Sequence, residues 1–153
     1  MEEFKIKNWE GEIPFIYELT QEEIQKLLLK LKLKFFLRGN ISLNDFYHYI
    51  LKHNITIGNV FNQQIFNNIK KICPHITDET YIYMDFENFK KIEKIKFRDF
   101  VKNFNNIWYP EVDDLTIFDD YCEWVIHFFH YGDVGFVKGH ELLLCNKYNL
   151  NIK

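Results

Sequence analysis

The stretch IWYPEVDDLTIFDDYCEWVIHFFHYGDVGFV, residues 107–137, decides the fold class. It holds four runs rich in β-branched and aromatic residues: Ile107-Trp108-Tyr109, Leu115 to Phe118, Cys122 to His130 and Val134 to Val137. Pro110, the Asp119-Asp120 corner and Tyr131-Gly132-Asp133 separate them. Short β-prone runs punctuated by turn residues predict an antiparallel meander of three or four strands.

Upstream the apolar spacing is helical. Thr20 and Glu23 make a capping box ahead of Ile24, Leu27, Leu28, Leu31 and Phe35, and Arg38-Gly39 closes the element, which predicts a helix over 20–38. Ser42 with Asp45 offers a second N-cap for a shorter helix bearing Phe46, Tyr49, Ile50 and His53 on one face. Phe61, Ile65, Ile69 and Ile72 continue helical spacing until Cys73-Pro74 ends it. Tyr81 to Met84 is a short β-prone run, and Phe97, Phe100, Val101 and Phe104 return to helical spacing. Beyond Gly139, Glu141 to Tyr148 could form a short terminal helix. Helices followed by strands predict an α+β domain, with N-terminal helices packed on one face of a C-terminal antiparallel sheet.

At 153 residues, with no linker or repeat, the chain is expected to be a single globular domain spanning 1–153. The aromatic fraction of 18% predicts a core rich in rings, and the surplus leaves room for a homodimer. Ala is absent and Arg occurs only at 38 and 98, while Ile, Lys, Asn and Phe abound. An AT-rich genome produces that bias without any functional demand. The first nine residues are charged and lack an apolar signal core, and no window approaches a membrane span, so a cytoplasmic protein without membrane contact is expected. Cys73, Cys122 and Cys145 form no CxxC pair and are read as reduced, buried thiols.

The net charge of −3 conceals an asymmetric distribution. Glu111, Asp113, Asp114, Asp119, Asp120, Glu123 and Asp133 occur without an intervening Lys or Arg. The positive charge lies elsewhere, at Lys26, Lys30, Lys32, Lys34 and Arg38 and again at Lys90, Lys91, Lys94, Lys96, Arg98 and Lys102. An acidic segment repels phosphate and steers in a basic protein, so the expected partner is a protein and not nucleic acid. The competing explanation is local: carboxylates gather at turns because they accept backbone N–H groups there.

Enzymatic motifs are missing. Neither G-x-S-x-G nor a phosphate-binding glycine loop occurs, and Ser42, the single serine, is better used as a cap. Asp113-Asp114 and Asp119-Asp120 are adjacent pairs whose side chains diverge in extended backbone, so neither paired-acid catalysis nor a metal site is expected. In the strand reading of 122–130, His127 and His130 point to opposite faces, which argues against zinc. The sequence therefore predicts no catalytic residues, no metal and no cofactor. The candidate partner-binding residues are Asp113, Asp114, Asp119, Asp120 and Glu123, with Trp124 or Tyr109 as aromatic anchor.

Residues 107–118 followed by Glu123 to Asp133 resemble the C-terminal hairpin of small bacterial immunity-type proteins, in which a D-D-L-x-I-F strand leads to a tryptophan strand ending in H-x-G-D or H-D-G. The resemblance covers about 30 residues. It implies a toxin-binding inhibitor, the partner being a basic toxin domain of a polymorphic or contact-dependent system. A regulatory or adaptor module using the same surface is the alternative, and a small metal-dependent enzyme built on His127, His130 and the aspartates is a third reading.

Overall fold

The computed structural model describes residues 16–36, 42–62, 64–73, 75–86 and 89–139. The decisive stretch folds into three strands: β5 (Leu115–Asp119), β6 (Trp124–Phe128) and β7 (Asp133–Lys138). They pair antiparallel in a meander, as their turn residues dictate. The fourth run departs from expectation. Ile107 ends a helix, and Trp108 caps it with its N–H on Phe104 O, so 107–109 belongs to no strand.

The sheet is larger than three or four strands. Among the described residues it has seven, adding β1 (Tyr17–Glu18), β2 (Ile55–Asn59), β3 (Tyr81–Asp85) and β4 (Ile92–Lys96), in the order β1-β4-β3-β5-β6-β7-β2 with every pairing antiparallel. Two of the added strands hide behind their composition. β4, IEKIK, reads as a run of charge, and β2, ITIGN, contains Gly58 and shifts register there against β7. Both are held by the ladder rather than by local propensity.

Five helices complete the described chain: α1 (Gln21–Phe36), α2 (Leu43–His53), α3 (Ile65–Ile72), α4 (Phe97–Lys102) and α5 (Phe104–Ile107). The capping box forms, with Thr20 N donating to Glu23 Oε1 at 2.8 Å and Glu23 N to Thr20 Oγ1 at 3.2 Å. Ser42 Oγ likewise accepts from Asp45 N at 3.0 Å. The helices are neither all N-terminal nor confined to one face. α4 and α5 follow β4, and two separate apolar clusters flank the sheet. One joins α3, α4 and α5 to Ile82, Met84, Leu115, Ile117, Trp124, Ile126 and Phe128. The other joins α1 and α2 to Tyr83, Phe118, Val125 and Val137.

The reason lies in the strands. Successive residues of β3, β5 and β6 point to opposite faces, and both sets are mostly apolar, so the sheet must be covered twice. All five residues of β5 and of β6 are buried. The expected terminal helix over Glu141 to Tyr148 lies outside the described residues. None of the described helices is long and apolar enough to cross a membrane.

Candidate functional site

β5 separates the two aspartate pairs. Asp113-Asp114 enters it and Asp119-Asp120 leaves it, five residues or about 17 Å apart at the rise of a strand. The expected acidic surface is therefore two surfaces at opposite ends of the sheet.

At the exit end the carboxylates are absorbed locally. Asp119 is 1% exposed, and its Oδ1 accepts Tyr121 N at 3.1 Å, while its carbonyl accepts Cys122 N at 3.1 Å and faces the Cys122 thiol at 3.5 Å. These bonds close the β5–β6 turn, in which Cys122 takes φ +55. Burial raises the Asp119 pKa above the usual carboxylate range, against the backbone bonds that lower it. Asp120 Oδ1 accepts the Tyr83 hydroxyl, and its carbonyl accepts Lys30 Nζ. Burial, then that bond to Asp120, push the Tyr83 pKa up. Glu123 lies 3.6 Å from Lys34 Nζ and 3.9 Å from His75 Nε2, and His75 stacks on Tyr121 at 4.1 Å. The first helix thus lays two lysines along this end.

Trp124, named as an anchor, is 1% exposed and packs in the cluster beneath α3, α4 and α5. It cannot contact a partner at the surface. Its Nε1, together with Asp119 Oδ2 and His127 Nε2, is buried without a hydrogen-bond partner among the described residues.

The entry end is built differently. Asp113 is buried, its Oδ2 accepting Tyr109 N and its carbonyl accepting the Trp108 indole, both at 2.9 Å, so this carboxylate shapes the 108–113 loop from within. Asp114 stays partly open. Its Oδ1 accepts both His130 N at 2.7 Å and His130 Nδ1 at 3.1 Å, fastening the β6–β7 turn to the loop. Glu111, exposed at φ +64, donates its N–H to His130 O at 2.6 Å. On the far flank of the same turn Val60 N donates to Gly132 O at 2.8 Å and Asn59 Nδ2 to Asp133 Oδ1 at 3.1 Å. Gly132 has φ +107, and a Cβ there would come within 2.9 Å of the Phe61 ring. The positive φ is what favours glycine at that turn.

Three large apolar side chains stand in solvent around this turn: Phe61 at 70%, Val112 at 57% and Tyr131 at 55% exposure. Phe61, expected from its spacing to share a helix face with Ile65, Ile69 and Ile72, stands instead in the turn before α3, which begins at Ile65, and Val112 and Tyr131 carry no periodic signal because they are isolated in loops. Of the residues it named, Asp114 and the half-buried Tyr109 belong to this end, whereas Asp120 and Glu123 belong to the other.

Between the ends a polar row crosses the sheet under α2. Register pairs Asp85 with Thr116, Thr116 with His127, and His127 with Gly135. His127 Nδ1 lies 2.9 Å from Thr116 Oγ1, and the Tyr47 ring meets the imidazole edge-to-face at 5.8 Å. Burial lowers the His127 pKa to about 4 despite the opposing charge of Asp114, so the ring is neutral. Burial, then the charges of Asp114 and Asp85, push the Tyr47 phenol up to about 12. Gly135 is small because Asn54, whose side chain accompanies the end of α2, lies where a Cβ would project. His127 is buried and His130 exposed. Among the described residues no three His, Cys, Asp or Glu side chains are grouped to hold a metal.

No protein-family model, curated protein or solved structure matches this chain significantly.

Proposed function

We propose that this protein is a non-catalytic inhibitor that neutralises a basic partner protein by binding it, the partner being a toxin as the hairpin resemblance suggests. The observation that carries the reading is the charge at the entry end of β5. Residues 103–137 contain no Lys or Arg, and Glu111, Asp114 and Asp133 meet no Lys or Arg ion-pair partner among the described residues. Unneutralised carboxylates beside exposed apolar groups are the composition of a surface that meets a cationic protein, since charge sets the encounter and rings supply contact area. The exit end, where Asp119 is buried, Asp120 accepts the Tyr83 hydroxyl and Glu123 pairs with Lys34, offers less. The polar row under α2 is closed over by that helix and is read as structural.

Co-expression with the product of the adjacent gene tests the proposal. The expected result is a stoichiometric complex that removes the partner's toxicity and forms more slowly as salt rises. Absence of any complex at low salt, with the toxicity intact, overturns it.

A further inference from the structure

The entry-end surface also says what kind of side chain it takes. Resting on the inhibitor reading above, we propose that Phe61, Val112 and Tyr131, with Glu111 and Asp114, form a docking site for an arginine presented by a basic protein surface.

The loop carrying Glu111 and Val112, the β6–β7 turn carrying His130 and Tyr131, and the turn after β2 carrying Phe61 are joined by main-chain bonds of 2.6 and 2.8 Å and by the Asp114 carboxylate, so the backbone that presents these side chains needs little ordering when a partner arrives. Phe61 N bonds Asn59 Oδ1 at 2.9 Å, which holds that residue too. Phe129 stacks against Tyr131 at 5.3 Å and 15°, yet more than half of Tyr131 remains in solvent. His130 meets the same ring edge-to-face at 5.2 Å, so Tyr131 is braced by two neighbours and still presents more than half of its surface to a guest.

Charge selects the guest. Both bonds that Asp114 accepts fall on Oδ1, which leaves Oδ2 for a new donor, and Glu111, three residues earlier in the chain, adds a second exposed carboxylate. A phosphate backbone is repelled here, so the guest is a protein cation. Geometry then favours arginine over lysine. A guanidinium is planar and weakly hydrated, and can lie on the tyrosine face while its N–H groups reach a carboxylate, whereas an ammonium is compact, strongly hydrated and keeps its water.

The test titrates the full chain with hexa-arginine and with hexa-lysine peptides at low salt, following backbone amides by nuclear magnetic resonance. The expected result is shifts confined to residues 59–62, 109–114 and 129–133, with arginine bound at least threefold more tightly. Tyr131→Ala is expected to remove that preference, and Tyr131→Leu, which keeps apolar bulk, to do the same. Glu111→Gln with Asp114→Asn is expected to weaken both peptides about tenfold while the turn bonds survive, because the asparagine oxygen still accepts from His130 N. Shifts centred on 119–123, equal affinity for the two peptides, or no shifts at all overturn the proposal. So does dimerisation of the chain through this face in sedimentation, which makes a second copy its occupant. If peptides bind here and the adjacent product is not neutralised, the inhibitor reading fails alone. If neutralisation persists in variants that no longer bind peptide, the arginine site fails alone.

Discussion

Asp113-Asp114 and Asp119-Asp120 are the same dipeptide at the two ends of one strand, and they do different work. At the exit end the Asp119 carboxylate closes a turn and Asp120 takes a tyrosine hydroxyl, while the first helix brings Lys30 to the Asp120 carbonyl and Lys34 to the neighbouring Glu123. At the entry end the cation within reach is His130, an imidazole that is charged only when protonated, and three apolar side chains project around it. Both pairs brace turns; one kind has lysines beside it, and the other, which no lysine reaches among the described residues, is the kind we propose for recognition. Sequence gives the pair; the packing of α1 decides which kind it is.

The largest expected effect separates the two aromatic sets. Trp124→Ala empties a fully buried site and should cost about 3–5 kcal/mol of unfolding free energy, whereas Phe61→Ala or Tyr131→Ala should stay within about 0.5 kcal/mol. Urea denaturation of the three variants checks this. A costly Tyr131→Ala would place the entry-end rings among the structural ones and break the comparison.

The next effect comes from His127. Its folded pKa of about 4 lies below the unfolded value of 6.5, so as pH falls the unfolded state takes the proton first. Stability is full above pH 6.5, declines through the window down to about 4 and then levels, by roughly 3 kcal/mol in all. Unfolding midpoints measured from pH 7.5 to 3.5 should show that decline in the native protein and its loss in His127→Gln relative to the same variant at neutral pH.

A smaller effect is expected at Asp119. Its pKa is raised by burial, so the folded state prefers the neutral acid; that preference contributes stability at low pH and turns into a cost as pH rises through the folded pKa. Asp119→Asn keeps the acceptor for Tyr121 N and removes the buried charge, and should be neutral to stabilising by up to about 1 kcal/mol at pH 7. Thermal melts at pH 7 and pH 4 read the difference, which should shrink at the lower pH. Smallest of all, Lys34→Ala should change stability by no more than about 0.5 kcal/mol, because its pair with Glu123 is partly exposed at 3.6 Å.

Much of the fold was legible. The capping box at Thr20 and Glu23, the Ser42 cap and the turns after β5 and β6 are local chemistry, and each appears where its residues stand. Strands β2 and β4 were not, because a lysine-bearing or glycine-bearing strand becomes one only when a neighbour's ladder is offered. The two-sided burial of β5 and β6 could have been read from their mostly apolar runs, which fit a covered sheet better than one with an open face. Of the site, the charge was legible and its geometry was not. Four residues of β5, Leu115 to Phe118, separate what the sequence joins, Trp124 is buried because both faces of β6 are covered, and Phe61 reaches the site from a region distant in sequence.

The most direct test of the account compares charge reversals at the two ends, Glu111→Lys with Asp114→Lys against Asp120→Lys, by the rate of association with the adjacent gene's product at low and high salt. The account predicts that the entry-end reversal slows association about tenfold or more at low salt, with the difference fading as salt rises, while Asp120→Lys stays within about twofold of the native rate. A slow Asp120→Lys variant beside an unaffected entry-end variant contradicts it and assigns recognition to the lysine-lined end.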